Sequence, residues 1–259
     1  MANGTMVLDL ARPHQIYTNA AGTRLPGVTT ILGTLAKPAL LGWYAEEERK
    51  GILSALDVSG VMTAKELDKF LPVRKNGKPM PYAEVKRDKA ADLGTVTHAR
   101  IEAWLNHDEL SPEGIPADLF EKSLNGLLRF TEWWNENGFT CLTTELQMVS
   151  EEMQVGGTAD IVGCHVSAQM TDRIVFDIKT SKRSQYWPYP ETYAQVATYA
   201  NMVTETTGYP VSDVWVLRVG KEEGDEMQSV KLTMHQRDAG ARLFRSALGV
   251  YRALRELEG

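Results

Sequence analysis

Cysteine is scarce: the 259-residue chain holds two, Cys141 and Cys164. Two are too few for a disulfide framework or for a four-cysteine iron–sulfur cluster, so no such cluster is expected. Both read as buried thiols in a reducing cytoplasm. No run approaches the roughly 18 apolar residues of a membrane helix, and no membrane partner is expected. The opening "MANGTMVLDLARPH" lacks a basic segment followed by an apolar one, so no secretory signal is expected either. Positive charge is in deficit, with 28 Lys and Arg against 34 Asp and Glu and a net charge of −6. That argues against a protein that coats nucleic acid by bulk electrostatics, but leaves room for a local basic groove. With 43% hydrophobic and 24% charged residues, the composition is that of an ordinary globular protein with a sizeable core.

The pattern changes midway along the chain. Residues 7 to 27 read as irregular structure with short strands, ending in the turn-like "LPG". Two helices divided near Pro38 follow, the second over about 39–56, then a helix over 62–71 broken by "NGKP". A long helix is expected over about 81–106 and another over 116–137, with Gly138 as its C-terminal cap. From 139 onward "FTCLTTELQMV", "GGTADIVGCHV" and "RIVFDIKT" are rich in β-branched residues and read as three strands. A helix over 190–206, strands "VSDVWVLRV" and "EMQSVKLTM", and a helix over 236–257 complete the order. This predicts an α/β fold with a central mixed β-sheet flanked by helices, plus an N-terminal helical region.

The stretch "RIVFDIKTSKRS" poses a chemical problem. In a strand, Val175, Asp177 and Lys179 share one face, opposite Ile174, Phe176 and Ile178. Charges on a buried face need a reason to be there. A same-face salt bridge is one; a site that sets a fixed anionic ligand beside a fixed cation is another. Asp160 lies seventeen residues earlier, in "GGTADIVG". If the two runs pair as a hairpin, both aspartates lie on adjacent strands, and two close carboxylates repel unless a cation lies between them or one is protonated. Carboxylates suit hard cations such as Mg2+ and Mn2+. His98 falls on the helix face shared with Gly94, Ile101 and Leu105, as a core histidine or as a ligand. Gln195 and Tyr199 stand one turn apart on the 190–206 helix. Residues 74–89 carry six basic residues against two acidic ones, a local surplus of four that marks either a solvated face or a DNA contact.

In order, these motifs are G-x-x-x-H on a helix, a strand glutamate, G-G-T-x-D, a hydrophobic D-x-K strand and Q-x-x-x-Y on a helix. The series resembles the PD-(D/E)XK nuclease superfamily, and most of all its RecB-type members, which include CRISPR-associated exonucleases and the mitochondrial genome maintenance exonuclease. The N-terminal "LPGVTTILGTLAKPALLGWYAEEERKG" is similar to the opening of phage and mitochondrial members. The resemblance spans roughly residues 25 to 200. It implies a restriction-endonuclease-like core in a single nuclease domain over 1–259, mainly helical over 1–138 and holding the catalytic sheet over 139–259.

The resemblance also implies roles. Asp160 and Asp177 would bind metal, with His98 as a further ligand and the Ile178 carbonyl beside them. Lys179 would be the catalytic lysine, Gln195 and Tyr199 would support the site, and Glu145 would match a glutamate of less defined role. The cofactor would be Mg2+, with Mn2+ able to substitute. The partner would be DNA, alongside a recombination or replication protein; on charge alone, and not from the resemblance, Lys86, Arg87 and Lys89 would hold its backbone, with Lys182 and Arg183 next in line. The location would be the cytoplasm, that of the host if the protein is phage-encoded. Two departures stand out: the G-G-T-A-D run lacks the proline of the superfamily's name, and the cysteine set of cluster-binding members is missing. The expected activity is Mg2+-dependent exonucleolytic hydrolysis of DNA in recombination, repair or replication. A structure-selective endonuclease and a non-catalytic DNA-binding subunit are the alternatives. A Schiff-base role for Lys179 lacks an accompanying cofactor motif.

Overall fold

The computed structural model describes residues 4–10, 15–35, 37–59, 63, 65–67, 73, 77, 80–166, 172–181, 187–220 and 224–258. They form two compact units, one of residues 1–35 and 94–259 and the other of residues 36–93. The helix expected over 62–71 falls largely outside the described residues.

The larger unit is built on a five-stranded sheet of β5 (Phe139–Ser150), β6 (Val155–His165), β7 (Arg173–Thr180), β8 (Val211–Val219) and β9 (Gln228–Lys231), in that spatial order. β5, β6 and β7 form an antiparallel meander. Helix α5 (Pro190–Thr207) then carries the chain across to β8, which pairs parallel to β7, and β9 returns antiparallel. The mixed α/β sheet flanked by helices is thus as the sequence predicts. β9 is shorter than the "EMQSVKLTM" run: it pairs with Trp215–Arg218 alone, and Thr233 then caps α6 (Met234–Leu257) through a reciprocal bond pair with Gln236. The capping box, which satisfies two orphan helix donors, ends the strand.

β7 is buried on both sides from Ile174 to Ile178, which is why that stretch is apolar except for Asp177. Ile174, Phe176 and Ile178 enter one core with Ile101 and Leu105 of α3 (Tyr82–Leu105) and Phe130 and Trp134 of α4 (Ala117–Glu136). Val175 enters the other core, formed with α5, α6 and the short α1 (Val28–Leu32). Close helix contacts depend on glycine at two places. A Cβ on Gly240 would lie 2.5 Å from the Tyr193 carbonyl oxygen, and one on Gly126 would lie 2.6 Å from Thr97, the neighbour of His98. Gly138 sits just past α4 with φ of +63°, the left-handed conformation expected of a C-terminal stop.

Four two-residue strands complete this unit: β1 (Thr5–Met6) pairs with β4 (Glu109–Leu110), and β2 (Tyr17–Thr18) pairs with β3 (Arg24–Leu25). The second unit holds α2 (Pro38–Ser59) and the N-terminal part of α3. Among the described residues no helix is long and apolar enough to cross a membrane.

Candidate active site

The site forms where the β6–β7 ladder stops. Its last pair toward the site is Ile161–Phe176, so the next register position sets Asp160 against Asp177. On the other side of β6, Glu145 stands opposite Asp160, between the Thr144–Ile161 and Leu146–Ala159 pairs. Three carboxyl-bearing residues therefore occupy one row across three adjacent strands. Glu145 has φ of +46°, a strained left-handed backbone for a residue with a Cβ. In place of a ladder bond, the Ile178 N–H donates to Asp160 Oδ2 at 2.7 Å.

Asp177 is 1% exposed. Lys179 Nζ donates to its Oδ1 at 2.9 Å and lies 2.7 Å from its Oδ2. The second contact is an ion pair without hydrogen-bond geometry, because Oδ2 is buried with no hydrogen-bond partner. Gln195 Nε2 donates to Asp177 Oδ1 at 3.2 Å and to the Tyr199 hydroxyl at 3.3 Å. The same-face salt bridge of the D-x-K strand is real, but it is not a solvated surface pair. His98 Nδ1 approaches Asp160 Oδ2 at 3.7 Å from α3. A small cleft here is lined by His98, Glu102, Glu145, Asp160 and Ile178.

Burial dominates the electrostatics. It pushes Asp177 up to about 6; Lys179 opposes that shift and the Asp160 charge adds to it. Burial also raises Asp160, against the pull of Lys179 and the Ile178 N–H. Burial works against the charge on Lys179, but Asp177 and Asp160 outweigh it and hold the lysine above its usual range. Burial, with the Asp177 charge behind it, pushes the Tyr199 phenol far above its ordinary range.

The two glycines of the G-G-T-x-D run have a steric cause. A Cβ on Gly157 would lie 2.7 Å from the Tyr199 ring, and one on Gly156 would lie 2.0 Å from the Tyr17 ring. Tyr17 also hydrogen-bonds Thr158 Oγ1 at 2.9 Å. The donor set fits a hard divalent cation: the buried Asp177 carboxyl, with an oxygen free of hydrogen bonds, the partly exposed Asp160 carboxyl that it repels, and a nearby imidazole. Among the described residues no three His, Cys, Asp or Glu side chains already converge as a formed metal site. Instead the Lys179 ammonium occupies the place beside Asp177.

The structure thus brings together His98, Glu145, Asp160, Asp177, Ile178, Lys179, Gln195 and Tyr199. It shows the Ile178 N–H engaged with Asp160, a contact the sequence reading did not anticipate. Lys182 and Arg183 lie outside the described residues. Lys86, Arg87 and Lys89 belong to the second unit. There Lys86 is ion-paired with Glu47, and Arg87 bonds Asp88 and the Tyr44 hydroxyl.

Three residues of this region escaped the sequence reading. Glu102 lies one turn beyond His98 on the same helix, so i, i+4 spacing could have found it. Tyr17 is 141 residues from Thr158 and left no local signal. Arg218, 1% exposed, stands beside Lys179 in the β7–β8 register. It donates to the Ser181 carbonyl at 2.8 Å, the Glu226 carbonyl at 2.5 Å and Gln228 Oε1 at 2.6 Å. Of the two cysteines, expected both to be buried, Cys164 is buried but Cys141 is only half-buried, with burial pushing its thiol up to about 11.

No family model matches the chain, and no curated protein matches it. Among solved structures it is similar to a "putative exonuclease" from Eubacterium rectale, at 14% identity and a TM-score of 0.44, covering 70% of this chain and 75% of that one. It is also similar to the protein SSO0001, at 13% identity and a TM-score of 0.30, covering 60% of this chain and 71% of that one.

Proposed function

We propose that the chain is a metal-dependent deoxyribonuclease of the PD-(D/E)XK superfamily, RecB-type. In this reading it hydrolyses DNA phosphodiester bonds with Mg2+, or Mn2+ in its place. It works as an exonuclease on single strands or duplex ends in recombination, repair or replication. The observation that carries this reading is the meeting of Asp160 and Asp177 at the point where their ladder opens, with Lys179 ion-paired to Asp177.

Asp160, Asp177 and His98 would hold the cation, with Glu145 at the rim of the cleft. When bound, the cation supplies a Lewis acid for the phosphoryl oxygen and a water of lowered pKa. Lys179 is kept protonated by its two carboxyl neighbours, so it acts as a donor and a fixed positive charge rather than as a base. It orients the attacking water and stabilises charge developing on the phosphate. Gln195 holds Asp177 Oδ1 and is itself set by Tyr199, whose phenol stays neutral. Lys89, exposed on the second unit, together with Lys86, Arg87, Lys182 and Arg183, would track the DNA backbone. That last assignment rests on charge, and the slope of log affinity against log salt tests it: a Lys86, Arg87 and Lys89 neutralised triple variant with an unchanged slope would remove them from the DNA path.

The test of function is digestion of end-labelled linear and covalently closed circular DNA with Mg2+, Mn2+ or EDTA. The reading expects metal-dependent release from one end and an intact circle. Cleavage of the circle would make the enzyme an endonuclease. No cleavage of any DNA with either metal would overturn the reading.

A further inference from the structure

Two phenol rings from distant parts of the chain close on the glycine pair ahead of Asp160. Tyr199 lies over Gly157 and Tyr17 over Gly156, each so close that a methyl group could not fit. The N-terminal segment is fastened to β6 at the same point. Gly156 N–H donates to the Pro26 carbonyl at 2.9 Å, and Gly27 forms a parallel bridge with Gly156. The β2–β3 hairpin is held again at its far end, where Asn19 Nδ2 donates to Gln154 Oε1 at 2.8 Å and the Ala20 N–H to Glu151 Oε1 at 2.7 Å. The Tyr17 hydroxyl meets Thr158 Oγ1 at 2.9 Å. Thr158 is two residues before Asp160 and so shares its side of the strand. The Tyr17 and Tyr199 phenols are near enough to interact electrostatically.

We infer that Tyr17 is a positioning residue of the active site, acting through Thr158 to fix the strand that presents Asp160. This rests on the nuclease reading and extends it to a part of the chain that none of the catalytic motifs includes. The strand leading to Asp160 is laddered to β5 from Val155 to Ala159, but on its other edge the N-terminal segment at Pro26 and Gly27 takes the place of β7. Its ladder to β7 begins only at Ile161, and Glu145 breaks the regular backbone of β5 alongside. Beyond that point the Asp160 carboxyl is tied to the Ile178 N–H, and Thr158, two residues earlier, is tied to the Tyr17 hydroxyl. Outer partners of this kind set how well a ligand is aimed at its ion.

The test compares full-length wild type, Tyr17→Phe, Thr158→Val and the double variant. Mn2+ affinity is read by the electron paramagnetic resonance of free Mn2+, together with kcat and KM for Mg2+-driven DNA cleavage and the melting temperature. Phenylalanine keeps the ring on Gly156 and removes the hydroxyl alone. Each single variant should weaken Mn2+ binding about fivefold, the scale of one hydrogen bond. Each should also lower kcat with KM for DNA unchanged, and the double variant should be no worse than either single. Wild-type Mn2+ affinity in Tyr17→Phe, whatever its melting temperature, would overturn the inference, as would losses that multiply in the double variant. If Tyr17→Phe failed to fold, Thr158→Val alone would decide on the same criterion. A wild-type protein that neither binds Mn2+ nor cleaves DNA would instead overturn the nuclease reading itself.

Discussion

The Ile178 N–H donates to Asp160 Oδ2 at 2.7 Å, and the aspartate thereby replaces the strand carbonyl that the ended ladder no longer supplies. Asp160 thus has a structural duty as well as its proposed role as a ligand, and two substitutions separate them. Asparagine keeps an oxygen to accept from Ile178, whereas alanine leaves that N–H orphaned, at a cost of about 1–3 kcal/mol. Without metal, urea unfolding should find Asp160→Ala less stable than Asp160→Asn by about that amount. Both variants should be inactive. Equal stabilities would mean that the Ile178 bond contributes nothing.

The raised carboxyl of Asp177 makes the metal-free protein sensitive to acid and base in a defined sense. Its pKa of about 6 lies above its ordinary value of 3.8. The folded chain therefore holds more protons at this site than the unfolded chain between those values. The stability it contributes is complete below pH about 4 and is lost as pH rises through about 6, on the order of 3 kcal/mol. Lys179, raised as well, keeps its contribution through neutral pH and loses it only above its usual range. Urea midpoints of the apo protein from pH 4 to 7 should show the Asp177 slope, and Asp177→Asn should remove it. An identical slope in the variant would assign the titration elsewhere.

Arg218 holds together the exit of β7 and the start of β9, since its one guanidinium bonds Ser181, Glu226 and Gln228. Arg218→Met removes the donors to the Ser181 and Glu226 carbonyls and to Gln228 and should cost about 1–3 kcal/mol in urea unfolding. Arg218→Lys should recover less than half of that, because a point charge cannot span three acceptors. Full recovery by lysine would mean that charge alone, rather than the fork, is what the fold uses.

Much of this was legible in the sequence because it is local. The D-x-K strand announces itself by its β-branched run, the helix of His98 by its apolar spacing, and the end of α4 by Gly138. Pairing of the 158–165 and 173–180 runs as neighbouring strands also followed from their order. What was hidden depends on long-range contact. Nothing near Tyr17 says that its ring will rest on Gly156, and nothing near Arg218 says that a guanidinium will be buried at a strand end. The same holds for the basic run: composition shows Lys86 and Arg87 as surplus charge, whereas the fold gives Lys86 to Glu47 and Arg87 to Asp88. The strained Glu145 backbone likewise has no signature in residue type.

In the proposed reading, Asp160, Asp177 and Lys179 form a metal-dependent phosphodiester-cleaving centre. Single-turnover cleavage of end-labelled DNA by wild type, Asp177→Asn and Lys179→Met at saturating Mg2+, with circular dichroism to establish folding, tests it most directly. The account predicts EDTA-sensitive cleavage by wild type and a loss of at least about a hundredfold in each folded variant, the scale of removing one electrostatic stabiliser. Cleavage at the wild-type rate by folded Lys179→Met or Asp177→Asn would contradict it.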